Sequence, residues 1–86
     1  MDTTDRRVQL VLRALRRCPD YSMGELWELE LGKHAEGYGR PGLFNYGWLE
    51  RAMPKLRKAG FIVKGKAHRM SLTSAGEGAI LPLLGG

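Results

Sequence analysis

Val8, Val11, Leu12 and Leu15 recur at helical spacing with arginines in the positions between them, which predicts an amphipathic helix over residues 4–17 that Pro19 ends. A second helix is expected from Ser22, whose hydroxyl can cap the first turn while the Glu25 carboxylate returns to the cap's own amide, the reciprocal capping box. Met23, Leu26, Trp27, Leu29 and Leu31 give it a broad apolar surface that closes near Gly32. Residues 32–43 show no period. They carry Gly32, Gly37, Gly39, Pro41 and Gly42 among Lys33, His34 and Arg40, and are predicted to form a long loop.

The third helix is predicted over residues 45–59. On its wheel Leu49, Ala52, Met53 and Leu56 share one side, while Gly47, Arg51, Pro54, Lys55 and Lys58 lie roughly opposite, so one side packs and the other is basic. Pro54 has no N–H to give the Glu50 carbonyl and should bend the helix, at a cost of about 3 kcal/mol if nothing compensates. Its outward placement makes the bend tolerable, because helices curve convex toward solvent. Gly60, able to take a positive φ, terminates this helix. Residues 61–64 and 68–72 read as two short strands joined by Gly65, Lys66 and Ala67, with glycine expected where unusual backbone angles are needed. Thr73 is an N-cap for a short last helix, ended by Pro82 with Gly85 and Gly86. The order is helix, helix, helix, hairpin, helix: an α+β pattern without internal repeat, low-complexity region or linker, and hence one domain over residues 1–86.

Eighty-six residues, 43% of them hydrophobic, suffice for one core and leave no room for a separate catalytic domain. The longest apolar runs, such as residues 79–84, are far shorter than a bilayer span, and Asp2, Asp5, Arg6 and Arg7 are followed by no apolar signal segment. A soluble, cytoplasmic protein with no membrane partner is expected. Cys18, the one cysteine, can form neither an internal disulfide nor a thiolate zinc site, and reads as a packing or surface residue at a helix end. His34 and His68 have no partner at metal-ligand spacing. The glycines of residues 37–42 lack the Gly-Lys-Ser/Thr ending of a phosphate loop, and no nucleophile, base and orienting group stand out. Neither metal, cofactor nor enzymatic activity is expected.

A net charge of +5 favours an anionic partner, but its placement says more than its size. The cations gather in three groups: Arg6, Arg7, Arg13, Arg16 and Arg17; then Arg51, Lys55, Arg57 and Lys58; then Lys64, Lys66, His68 and Arg69.

From residue 47 to residue 79 the chain resembles winged-helix transcription regulators of the PadR-like and MarR-like type. Leu49, Met53 and Leu56, closed by Gly60, Phe61 and Ile62, match the apolar spacing and glycine stop of their recognition helix. Arg69 followed by Leu72, Thr73, Ser74, Ala75 and Gly76 matches the arginine and Leu-Thr-x-x-Gly sequence through which their wing leaves. The resemblance covers a little over a third of the chain and extends weakly back through residues 22–31. Three features depart from the pattern: Glu50 stands where many PadR-like proteins carry an aromatic residue, Pro54 interrupts the helix, and no long dimerisation helix follows the wing.

The resemblance implies a winged helix-turn-helix with a three-helix core, a two-stranded wing and a short C-terminal helix, and sequence-specific binding of double-stranded DNA by a small bacterial or phage transcription regulator. In such a complex Asn45, Tyr46, Gly47, Glu50 and Arg51 would lie nearest the bases, with Lys55 and Lys58 further along the same helix. Lys64, Lys66 and Arg69 of the wing would meet phosphates or a minor groove, and Arg40, with Lys33 and His34, would reach the backbone from the long loop. The same charges suit a solvated helix face and a protected edge strand; a basic wing directly behind a basic helix favours DNA. Of the nearby aromatics Tyr38, Phe44, Tyr46 and Trp48, which could stack on single-stranded bases, Phe44 and Trp48 are expected instead to anchor the loop to the core. The alternative is a winged-helix protein-interaction module, such as a phage-encoded inhibitor or assembly subunit, with Trp27, Leu31 and residues 80–84 as its apolar surface. A weak homodimer is expected through the first helix, where Leu10 and Ala14 lie off the core stripe, and the same C-terminal tail.

Overall fold

The computed structural model describes residues 2–38 and 43–82, the side chains at 36–38 excepted. Helix α1 spans Arg6–Arg17, starting two residues later than the apolar pattern alone predicts, because the Asp5 carboxylate caps it by accepting from the Arg7 N–H at 2.8 Å. Val8, Val11, Leu12 and Leu15 are buried as their spacing predicts. Ala14 is buried too, and Leu10 is half-buried against the core. The expectation that these two form an outward surface for a second copy is therefore corrected. The second helix packs along one part of α1 and the C-terminal helix along another, so the apolar stripe is wider than the 3.6-residue period marks out.

Helix α2 begins at Met23 with both halves of the capping box in place: the Glu25 N–H donates to Ser22 Oγ at 3.3 Å, and the Ser22 N–H to Glu25 Oε1 at 3.2 Å. After Leu26 the ladder widens to a π turn over Trp27–Leu31, then tightens to a 3₁₀ helix over Gly32–Tyr38, where a loop was predicted. An i→i+5 ladder stacks residues five apart, which brings Leu31 onto the same buried side as Leu26. Leu29 is left 57% exposed and Trp27 half-buried. With Leu31 in the core, the apolar patch expected from Trp27, Leu31 and residues 80–84 does not form as predicted; residues 83 and 84 lie outside the described residues.

Helix α3, Tyr46–Lys58, is capped by Asn45, whose Oδ1 accepts from the Trp48 N–H at 2.7 Å. It continues through the exposed Pro54 and buries Trp48, Leu49, Ala52, Met53 and Leu56. Gly60, at φ 86°, closes it: its N–H bonds the Arg57 carbonyl and the Phe61 N–H bonds the Leu56 carbonyl, the paired bonds of a Schellman motif. The next two strands, β1 (Ile62–Lys64) and β2 (Met70–Leu72), pair antiparallel with Ile62 opposite Leu72 and Lys64 opposite Met70. Their connection is five residues long rather than the predicted three. The positive φ angles fall on Ala67 and His68 while Gly65 stays extended, because a 3₁₀ turn over Lys66–His68 does the reversing. Helix α4, Ser74–Gly78, is capped by Thr73 as predicted, its Oγ1 accepting from the Gly76 N–H at 3.0 Å.

The described residues thus form a small α+β arrangement of four α-helices, with π and 3₁₀ turns, and one two-stranded hairpin. The Met70 N–H donates to the Tyr21 carbonyl and the Met70 carbonyl accepts from the Asp20 N–H, which ties the segment before α2 to β2. Buried Gln9 ties the ends together: its amide nitrogen donates to the Thr3 and Ala79 carbonyls and its oxygen accepts from the Leu81 N–H. Leaving any of those groups unmet in the interior would cost about 1–3 kcal/mol, which explains a glutamine on an otherwise apolar face. Among the described residues, no helix is long and apolar enough to cross a membrane.

Candidate nucleic-acid interface

Because α3 buries one side of its wheel, the residues left outside form two stripes. Gly47, Arg51, Lys55 and Lys58 run along the outer one, and the last three are exposed. Tyr46, Glu50, Pro54 and Arg57 run along the other and line a depression of about 290 Å³. Lys64 and His68 of the hairpin, Ser22 and Gly24, and Met23, Met53 and Met70 complete the lining. The Schellman turn at Gly60 sets this geometry, since it reverses the chain within two residues and lays β1 back along α3.

The cations here are available to a ligand. Among the described residues, the side chains of Arg51, Lys55, Arg57, Lys58, Lys64 and Lys66 make no hydrogen bond or ion pair, and neither does Glu50. Arg69 is exposed, and its Nη1 donates to the Asp20 carbonyl at 2.7 Å, which braces the hairpin base against the α1–α2 turn. Asp20 itself adopts φ 68° there and accepts at Oδ1 from the Ser71 hydroxyl. Asn45 spends its oxygen on the cap, and Tyr46 stands exposed with its ring 6.4 Å from that of Trp27. Arg40 lies outside the described residues. Arg57 and His68 belong to the basic groups of the sequence but not to the site that the resemblance implies; the seven-residue spacing of Arg57 from Glu50 puts both on one stripe.

Below the basic face, α3 is anchored by aromatic packing. The Phe44 ring stands edge-on between Trp27 and Trp48, at 5.2 and 5.4 Å between centroids, which supports the anchoring role expected for Phe44 and Trp48. Arg7 lies 4.9 Å over the Trp48 ring, donates to the Leu43 carbonyl at 2.6 Å and pairs with Asp5 at 2.8 Å. It joins α1 to the start of α3.

Gly47 and Arg51 are coupled. A methyl group at Gly47 would sit 3.4 Å from Arg51 Nη1 and 3.3 Å from Asn45 Oδ1, so the guanidinium lies back along the helix over the space the glycine leaves. Gly47→Ala recovers about 0.5–1 kcal/mol of backbone freedom but crowds the Asn45 cap oxygen as well as Arg51, so stability should change by less than about 1 kcal/mol while Arg51 shifts. A thermal melt should stay nearly unchanged while a binding titration weakens; unchanged affinity would show that Arg51's position is immaterial.

A second group of charges is internally satisfied. The Cys18 thiol donates to Glu30 at 2.9 Å, and Glu30 also pairs with Arg17 at 3.2 Å and Lys33 at 3.7 Å. The thiol bond, then the arginine, hold the Glu30 carboxyl below its ordinary range, and the same bond pushes the Cys18 thiol up. A thiol held protonated at neutral pH is a poor nucleophile, in keeping with a packing role. Burial, then the neighbouring Lys33 and Arg17, lower the pKa of His34, which therefore adds no charge to this side at neutral pH.

The chain matches no protein-family model, no curated protein and no solved structure.

Proposed function

We propose that this protein is a winged helix-turn-helix that binds double-stranded DNA, with α3 as the recognition helix and the hairpin as the wing, and that it acts as a small bacterial or phage transcription regulator. The observation that carries the reading is the set of cations on two adjacent elements that have no partner among the described residues. Arg51, Lys55 and Lys58 lie on the outer stripe of α3, and Lys64 and Lys66 on the hairpin beside it. A face built only for solubility normally mixes both signs of charge; here Glu50 is the one acid on α3 and the hairpin.

Binding to a random duplex measured at several salt concentrations tests the reading. If about four of these cations displace counterions from phosphates, log K should fall against log salt with a slope of about −3 to −4. Absence of binding at low salt, or a titration indifferent to salt, rules out DNA as the partner.

A further inference from the structure

The exception on the basic face carries an inference that rests on the DNA reading and deepens it. Glu50 is exposed in the middle of α3, lines the same depression as Lys64 and His68, and has Arg57 on its own stripe and Arg51 beside it in sequence. Its carboxylate nevertheless makes no hydrogen bond or ion pair among the described residues. Tyr46 and Pro54, one turn to either side, carry no charge to neutralise it. A free carboxylate cannot lie against a phosphate. Whatever duplex seats on this face must therefore offer it a hydrogen-bond donor or be repelled.

The donors of the major groove are the exocyclic amino groups of cytosine and adenine; guanine and thymine present acceptors that a carboxylate opposes. Adenine's amino group stands beside its N7 acceptor, which would face the second carboxylate oxygen. Cytosine's own ring carries no such acceptor beside its amino group. We propose that Glu50 sets the sequence preference of this surface by accepting a hydrogen bond from the amino group of a cytosine in the major groove. The unpaired cations around it then act on phosphates, and Glu50 selects by repulsion as well as by attraction.

The test binds a duplex pool, randomised across the site, to the wild type, Glu50→Gln and Glu50→Ala at one low salt concentration, and sequences what each retains. Glu50 is exposed and unpaired, so all three should give the same circular dichroism spectrum. The wild type should enrich cytosine at one position about fivefold or more. Glu50→Gln should move the preference at that position to adenine, whose N6 and N7 a carboxamide bonds together. Glu50→Ala should lose the preference there and bind random duplex about fivefold more tightly, because one negative charge has left a face close to phosphates. A retained pool with no cytosine preference, or with the same preference in all three proteins, overturns the assignment and leaves DNA binding standing. If the wild type retains no duplex, the assignment falls together with the DNA reading.

Discussion

Gly76→Ala should destabilise the fold by about 2–3 kcal/mol, at the upper end of what overpacking a single methyl group costs. A Cβ at this buried position would lie 2.1 Å from the Phe61 carbonyl oxygen and 3.0 Å from Leu72 Cδ2. The leucine can turn away. The carbonyl cannot, because it accepts the Thr73 N–H at 3.1 Å and so holds the start of α4 to the residue before β1. Moving it would break that bond or push α4 off the hairpin. In a domain of this size the loss corresponds to a fall in melting temperature of roughly 10–20 °C. Gly78→Ala is the control: no atom lies within 4 Å of its Cβ position, so it should be neutral or slightly stabilising. Equal melting temperatures for the two variants would show that the close approach at Gly76 is relieved without cost.

Replacing Arg51, Lys55 and Lys58 together by alanine should lower duplex affinity about 500-fold near 0.1 M salt, since each lost phosphate contact removes a factor of about eight in counterion release there. The salt slope should fall by about 2.7 for three contacts. Stability should change little. All three side chains are exposed and have no partner among the described residues, and alanine is at least as good a helix former. A triple variant with undiminished affinity would move the binding surface elsewhere, and the arginines of α1 would be the next to replace. A variant that lost affinity but kept its slope would mean that these residues hold the shape of the face rather than touch phosphates.

The local features of the fold were legible in the residues because each is settled within a turn or two of chain. The α1 stripe of Val8, Val11, Leu12 and Leu15, the Ser22–Glu25 capping box, the Thr73 cap and the Gly60 stop depend on side chains three or four residues apart, and all stand as their spacing predicts. So does the basic outer stripe of α3, since a helix with one buried side exposes the other.

What the spacing could not determine depends on distances between segments far apart in the chain. The π turn that carries Leu31 into the core answers to the packing surface on α1 rather than to a local preference. Ala14 looks outward on a wheel but is covered once other elements close over α1. Gly76 reads as one more flexible residue until the Phe61 carbonyl comes within reach of its missing side chain. The same holds at the interface. The sequence places Arg69 in the hairpin and Glu50 on the third helix, but only the tertiary arrangement ties Arg69 to the Asp20 carbonyl and leaves Glu50 without a partner among the described residues. How freely a charge can meet a ligand is decided through space, by which donors and acceptors the packed core brings within about 3 Å of one another.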